Sequence, residues 1–310
     1  MSLPSEFLDR LKNIVPQEKY EEAVRSFSVQ PLVTLRVNSL KITVEEVLSI
    51  LKQSGICFEL SELCPYAIFL EENVQKGSIV QAMIDQGKLY RQDLSSMFPV
   101  MIMDPKPGER ILDMCAAPGS KASQIAMLMK NKGEIVAVEM ARPRYYRLKS
   151  VLSLLGVTNT QTICKDAQQY RDENLFDAVL VDAPCSSEGR FRDDDPSTYQ
   201  YWNLRKIKEM EHKQKGLLLQ ASRLVRPEGR IIYATCTFAP EENESVIDWF
   251  LEKTGEAFSL ESISLRDVPS YPAVQSWEKK KFNDAVARCL RIFPGRSTEG
   301  FFIAQLKRKY

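Results

Sequence analysis

The sequence predicts an α/β fold: a Rossmann-like sheet of mostly parallel strands preceded by a small N-terminal α+β unit. Three observations predict it. From Asp104 onward, short apolar runs alternate with longer helical stretches, as a parallel sheet with crossover helices requires. The first of these runs passes into a helix through a loop of small residues, Ala116-Ala-Pro-Gly119. Two later runs end close to a cysteine, Cys185 and Cys236, where strands of such a sheet open into the loops that line its ligand crevice.

Taken in order, Phe7, Leu8, Leu11 and Ile14 share one face of an N-terminal helix. Thr34-Leu-Arg-Val-Asn38 alternates as a strand. Thr43, with Glu46 three residues on, forms the capping box of a helix that runs to Gln53 and stops at Gly55. Ile56 to Leu60 reads as a further strand, and this unit is expected to end near residue 75. Tyr90 to Met97 bridges it to the next, so the expected domains span residues 1–90 and 91–310. Strand candidates in the second are Arg110–Leu112, Ile135–Val138, Thr160–Ile163, Ala178–Val181 and Arg230–Ala234. Ser120–Met129 and Ile207–Leu224 fit as helices between them, and Gly300–Leu306 is a late strand. There is no internal repeat and no low-complexity segment.

Composition narrows the function. A chain of 310 residues, 44% hydrophobic and 27% charged, is long enough for one large domain and a smaller one. No uninterrupted apolar stretch is long enough to cross a bilayer. The start, Met1-Ser-Leu-Pro-Ser-Glu-Phe7, lacks a secretory pattern. The expectation is a cytoplasmic, monomeric protein without membrane or metal. Seven cysteines (57, 64, 115, 164, 185, 236 and 289) follow no framework and are expected as free thiols; no second pair joins Cys57 and Cys64 in a zinc-ligand set. The net charge of +1 gives no global argument for nucleic acid, although Arg142–Arg147, Lys279–Lys281 and Lys307–Lys309 are locally basic. His212, the only histidine, sits among Lys and Glu on a helix face, which argues against Cys/His or Ser/His hydrolysis and against a histidine metal site.

The strand ends carry a ligand signal. In Ile111-Leu-Asp-Met-Cys115-Ala-Ala-Pro-Gly119-Ser-Lys121 the small residues allow close backbone approach, and the helix that follows offers unpaired amides to a carboxylate. The three spaced glycines of a dinucleotide fingerprint and the phosphate-loop pattern are both missing. Glu139 ends the second strand, where an acid can take both ribose hydroxyls, and Asp166 follows the third, within reach of an adenine amino group. Together these strand ends match an S-adenosylmethionine site.

Three long motifs then carry a family resemblance. Asp113-Met-Cys-Ala-Ala-Pro-Gly-Ser-Lys121, Asp182-Ala-Pro-Cys-Ser-Ser-Glu-Gly189 and Tyr233-Ala-Thr-Cys-Thr-Phe-Ala-Pro-Glu-Glu-Asn-Glu244 resemble the RNA cytosine-C5 methyltransferases of the Nol1/Nop2/Sun family. The likeness extends to Pro31–Lys41, Arg291–Pro294 and Thr298–Ala304, and the layout is most similar to the catalytic core of the bacterial small-subunit rRNA enzymes. It implies a class I S-adenosylmethionine-dependent methyltransferase sheet and an RNA-contacting, partly RRM-like N-terminal domain. Ser120 stands where many relatives have glycine, and the loop Arg190-Phe-Arg-Asp-Asp-Asp195-Pro is unusually acidic.

The resemblance also implies residue roles. Cys236 attacks C6 of cytosine, which turns C5 into a nucleophilic enamine carbon. Cys185 assists release of the product, Asp182 contacts the base edge, and Lys121 orients Asp182 or the substrate. Cys115, Ala116, Ala117, Pro118, Gly119, Ser120, Lys121, Glu139, Arg144, Asp166 and Asp182 would hold S-adenosylmethionine. The expected substrate is rRNA first, tRNA next. The chain ends soon after its last strand, so no C-terminal RNA-binding domain is expected, and Arg36, Asn38 and Lys41 are candidate RNA contacts. Phe191, Tyr199, Tyr201 and Trp202 are candidates to stack on displaced bases, with core packing expected for at least half of them. Two alternatives remain at this point: a DNA cytosine-C5 methyltransferase, in which the Pro-Cys cysteine attacks, and a non-catalytic RNA-binding or ribosome-assembly factor with the same fold.

Overall fold

The computed structural model describes residues 3–70, 77–265 and 267–310. The expected end of the first unit near residue 75 lies outside these residues. The N-terminal part contains α1 (Ser5–Ile14), α2 (Tyr20–Ser26), β1 (Val33–Val37), α3 (Val44–Gln53), β2 (Glu59–Leu60), β3 (Ala67–Leu70), α4 (Ile79–Asp85) and β4 (Leu89–Arg91). Its sheet is antiparallel in the order β2-β3-β1-β4. The capping box of α3 is present: the Thr43 hydroxyl accepts from the Glu46 amide at 3.2 Å, and the Glu46 carboxylate accepts from the Thr43 amide at 2.8 Å. The segment read as a bridge begins inside this sheet, because Tyr90 and Arg91 belong to β4 and pair with β1.

The larger part follows with α5 (Leu94–Met103), β5 (Arg110–Asp113), α6 (Ser120–Leu128), β6 (Glu134–Val138), α7 (Arg142–Leu154), β7 (Thr160–Ile163), β8 (Phe176–Asp182), α8 (Leu204–Leu224), β9 (Val225–Thr235) and α9 (Glu244–Thr254). Then come β10 (Phe258–Glu261), β11 (Ser270–Tyr271), β12 (Ser276–Trp277), β13 (Lys280–Lys281), β14 (Leu290–Ile292) and β15 (Phe301–Arg308). Strands β12 and β13 form a separate two-stranded ribbon. Five strands are parallel in the order β7-β6-β5-β8-β9. The late strand β15 runs antiparallel to β9, and β14, β11 and β10 extend that edge, so the sheet is mixed rather than wholly parallel.

Alternation explains why the strands read as continuous apolar runs. Ala178 and Leu180 of β8 face one core with Ile111, Ile135 and residues of α5 and α6. Val179 and Val181 face the opposite core with Leu217, Leu218 and Ala221 of α8 and Val246, Ile247 and Phe250 of α9. A strand covered on both faces needs apolar residues at every position.

Helices α3 and α4 pack on the small sheet, whereas α1 and α2 do not. Phe7, Leu11 and Ile14 of α1 pack with Phe27, Phe191, Phe238, Tyr271 and Phe293, all but Phe27 contributed by the large unit. Edge-to-face contacts of Phe7 with Phe27 (5.5 Å) and Phe191 (4.9 Å) organise this cluster. The chain therefore starts on the large unit, crosses to form the small sheet, and returns.

Candidate active site

Strand order reverses between β5 and β8, so β6 and β7 lie to one side of β5 and β9 to the other. The crevice beyond the carboxyl ends at such a point is where α/β sheets bind ligands. Here it opens into a cavity of about 500 Å³ lined by Cys115, Ala117, Pro118, Ser120, Lys121, Glu139, Arg144, Asp166, Asp182, Cys185 and Cys236, among others. Every residue expected at the site lines it except Ala116 and Gly119. Ala116 is turned into the small core around Leu148 and Leu152. Gly119 takes a positive φ of 111° as the chain enters α6, and a Cβ there would lie 3.1 Å from Leu148 and 3.2 Å from Val151. Its role is the turn and the close packing against α7.

The two thiols come from adjacent parallel strands. Cys185 follows β8, Cys236 follows β9, and their Sγ atoms are 3.3 Å apart, within sulfur hydrogen-bonding range. The hydrogen bond between the two sulfurs pushes the Cys236 thiol below its ordinary value, helped by the Arg190 guanidinium and the Ser187 hydroxyl against the effect of burial. The same bond and burial push Cys185 well up. The two thiols are thus shifted in opposite directions, Cys236 down and Cys185 up.

Beside them Lys121 Nζ, almost buried, donates to Asp182 Oδ2 at 2.7 Å and to Ser96 Oγ at 2.9 Å. Asp182 ends β8 and Lys121 opens α6, so the sheet's own register brings them together. Glu139 is buried; its Oε1 accepts from the Ala141 amide at 2.8 Å, and its Oε2 is 3.5 Å from Arg144. Arg144 also donates to the Ala117 carbonyl at 2.8 Å, bracing the small-residue loop from the α7 side. Asp166 caps a short turn through the Gln168 amide at 3.0 Å. Asp113, buried at the end of β5, is pushed up to about 7 by burial and then by Asp182, and its Oδ2 has no partner among the described residues.

Several contributors were not legible in the linear reading. Asp93, Ser96, Arg190, Glu299 and Phe301 line the same cavity. Asp93 caps α5 through the Ser95 amide at 2.7 Å, a local signal that could have been read. Burial and the neighbouring Glu299 push Asp93 up to about 7. Two buried glutamates anchor the cysteine loops. Glu188 accepts from Trp202 Nε1 (2.9 Å), Thr237 Oγ1 (3.0 Å) and the Phe238 amide (3.1 Å). Glu242 accepts from the Ser186 amide (3.0 Å) and Gln214 (2.8 Å), and burial pushes it up to about 8. Charged residues embedded in apolar motifs were the available clue.

The expected RNA contacts need correction. Arg36 is fully buried and donates at 2.6 Å each to Gln92 Oε1, the Ser120 carbonyl and Ser123 Oγ, with Tyr90 at 5.3 Å from its guanidinium. Asn38, also buried, donates to the carbonyls of Gly87 and Leu155 at 2.8 Å. The Lys41 amine reaches the carbonyls of Gln86 (2.8 Å) and Leu154 (2.7 Å). All three clamp the small sheet onto the large unit, because the large unit covers the polar face of β1. The proposed stackers fare similarly. Phe191 is 1% exposed. Tyr199 packs on Phe191 at 5.8 Å and Trp202 on Phe7 at 6.0 Å. Tyr201, 80% exposed, alone presents its ring to solvent. The acidic loop is docked too: the Asp193 amide donates to the Phe27 carbonyl at 3.0 Å and Arg192 donates to the Val29 carbonyl, both just beyond α2.

Among the described residues all seven cysteines are free thiols, no group of three or more His, Cys, Asp or Glu could hold a metal ion, and no helix is long and apolar enough to cross a membrane.

The family model for the 16S rRNA methyltransferase RsmB/F matches residues 100–307, and that for the RsmF/B-like ferredoxin-like domain matches residues 3–76. The tRNA (cytosine(49)-C(5))-methyltransferase of Pyrococcus abyssi is 36% identical over 285 residues, covering 89% of this chain and 88% of that protein. The ribosomal RNA small subunit methyltransferase F of Pectobacterium carotovorum is 35% identical over 99% of this chain, which spans 63% of that protein's length. The structure of a methyltransferase homolog protein from Pyrococcus horikoshii superposes with a TM-score of 0.85 at 29% identity, covering 99% of this chain and 95% of the other. With the three motifs meeting in one crevice of the matching fold, the chain belongs to the RsmB/F family of 16S rRNA methyltransferases.

Proposed function

We propose that this chain is an S-adenosylmethionine-dependent RNA methyltransferase that modifies C5 of cytosine, in ribosomal RNA first and transfer RNA second, in the cytoplasm. The observation that carries the reading is the pair of thiols 3.3 Å apart in one cavity with the Lys121–Asp182 pair. The names of the two relatives, one acting on tRNA and one on the small-subunit rRNA, support both substrates.

The residues present fit the cofactor. Glu139 sets a buried carboxylate at the cavity wall for ribose hydroxyls, and Asp166 stands at the end of the neighbouring strand. At the start of α6 the amides of Ser120, Lys121 and Ala122 have no intrahelical acceptor and can take a carboxylate. Bound there, S-adenosylmethionine supplies an electrophilic methyl group.

Everything else is done by the chain. The Cys236 thiolate adds to C6 of the flipped-out cytosine, and the electron pair moves into the ring and makes C5 nucleophilic. Asp182, oriented by Lys121, takes the base edge by hydrogen bonding. Once C5 carries the methyl group, its proton passes to solvent water, the C5–H electron pair forms the C5=C6 double bond, the C6–S bond breaks, and the electron pair of that bond returns to Cys236. Cys185, which holds its proton in the resting pair, assists this release.

Incubation with labelled S-adenosylmethionine and total RNA tests the reading. The expected product is 5-methylcytidine; Cys236→Ala abolishes it, and Cys185→Ala accumulates a covalent protein–RNA complex on denaturing gels. Absence of 5-methylcytidine refutes the activity. Product formed by Cys236→Ala but not by Cys185→Ala reverses the roles of the two thiols.

A further inference from the structure

We propose that Arg190 is a positioning residue that holds the Cys236 sulfur as a thiolate before RNA arrives, with Glu299 as the strut that aims it. The inference rests on the reading of Cys236 as the nucleophile.

A thiol nucleophile needs either a base or a cation, and this cavity has no histidine: His212 lies exposed on α8. The cations lining the cavity are Arg91, Lys121, Arg144, Arg190 and Lys213. Lys121 is taken by Asp182, Arg144 by Glu139 and the Ala117 carbonyl, and Lys213 by Glu209 at 2.7 Å. Arg91 belongs to β4 of the small sheet. Arg190 also has a carboxylate partner, Glu299, and what sets it apart is that its turn is tied to the Cys236 backbone.

That tie is built from three chain segments. The Gly189 amide donates to the Cys236 carbonyl at 2.9 Å, and the Gly300 amide donates to the Gly189 carbonyl at 3.3 Å. A Cβ on Gly189 would lie 2.0 Å from the Gly300 carbonyl oxygen, so only glycine permits this approach. Glu188 ties the same turn to Thr237 and Phe238. The residues following Gly189 and preceding Gly300, Arg190 and Glu299, are thereby set side by side, with Arg190 Nε 3.3 Å from Glu299 Oε1. Both side chains line the cavity that holds Cys236.

Groups act on Cys236 from every segment packed around it. Cys185 shares a hydrogen bond with it from the loop after β8, Arg190 favours its negative charge from the turn beyond, and Glu299 opposes that charge from the segment before β15. Asp93 lies beside Glu299, and Glu242 lies behind Cys185. In this arrangement Arg190 offsets the carboxylates that would otherwise keep the sulfur protonated.

The test is the pH dependence of Cys236 alkylation by iodoacetamide in the full-length protein, read on the Cys236 peptide by mass spectrometry to separate it from the exposed Cys57 and Cys164. Arg190→Gln should move the apparent pKa up by about one pH unit and slow alkylation near neutrality about tenfold. Arg190→Lys should restore most of the rate. The Arg190 side chain is 61% exposed, so thermal melts of both variants should match the parent. A profile for Arg190→Gln that overlays the parent overturns the proposal, as does one that Arg190→Lys leaves unrestored. Neither RNA nor cofactor is present in this assay, so its failure is distinct from failure of the methyltransferase reading, which is judged by 5-methylcytidine alone.

Discussion

Arg291→Met tests how the Cys236 turn is held. Arg291 Nε and Nη2 donate to the two carboxylate oxygens of Glu244 at 2.6 Å each, with the side chains 1% and 0% exposed. Nη1 donates to the Phe238 carbonyl at 3.0 Å, two residues beyond Cys236, and to the Tyr271 hydroxyl at 3.3 Å. Methionine keeps most of the aliphatic volume, so the loss is electrostatic. Two unit charges about 4 Å apart at an effective dielectric of about 20 attract by about 4 kcal/mol, and among the described residues the variant leaves the Glu244 carboxylate with the Val274 amide. Removing one partner of a buried pair costs about 3–5 kcal/mol, because the other charge stays buried. Removing both charges, in Arg291→Met with Glu244→Leu, should cost less than the single substitution. Urea unfolding at pH 7, followed by fluorescence of Trp202, Trp249 and Trp277 and by circular dichroism, measures both. A single-variant loss below about 1 kcal/mol, or a double-variant loss equal to the sum of the singles, would refute the reasoning.

Three further outcomes are expected. Lys121→Met and Asp182→Asn should each lower methyl transfer by roughly a hundredfold or more if the 2.7 Å pair orients the base as proposed; activity within threefold of the parent would exclude that role. Asp113 holds its proton to about 7 when folded and ionises near 4 when unfolded, so the folded chain binds the extra proton between these values and stability falls as pH rises through that window. Asp113→Asn should flatten this slope and raise stability at pH 8 by roughly 2–4 kcal/mol, measured by urea titrations at pH 4.5 and 8. Tyr201→Ala should weaken RNA binding by about 1–3 kcal/mol in filter binding without changing the melt, whereas Trp202→Ala should lower the melting temperature, because its ring packs on Phe7 and its Nε1 serves Glu188; equal effects on both properties would contradict the assignment.

By itself the sequence determined what depends on near neighbours. The Thr43 capping box, the apolar face of α1, the five parallel strands and the small-residue entry to α6 all rest on contacts within a few residues, so periodicity and caps reveal them. The motif cysteines and the strand-end acids were legible too, because strand ends in such a sheet face the crevice whatever surrounds them. Only the tertiary structure decided which polar residues are free. Arg36 alternates with Leu35 on β1 and reads as solvent-facing, yet α6 and the Gln92 segment cover that second face and convert it into a clamp. Phe191 and Trp202 likewise read as candidates for either stacking or the core, and the packing of α1 on them decides for the core. The same holds for the site's finest feature. That Cys236 has Cys185 at 3.3 Å and Arg190 braced by Glu299 nearby follows from strand pairing and from two glycine backbones meeting. Such contacts join residues 51 and 109 positions apart, and no local preference encodes which of many buried surfaces will close on which.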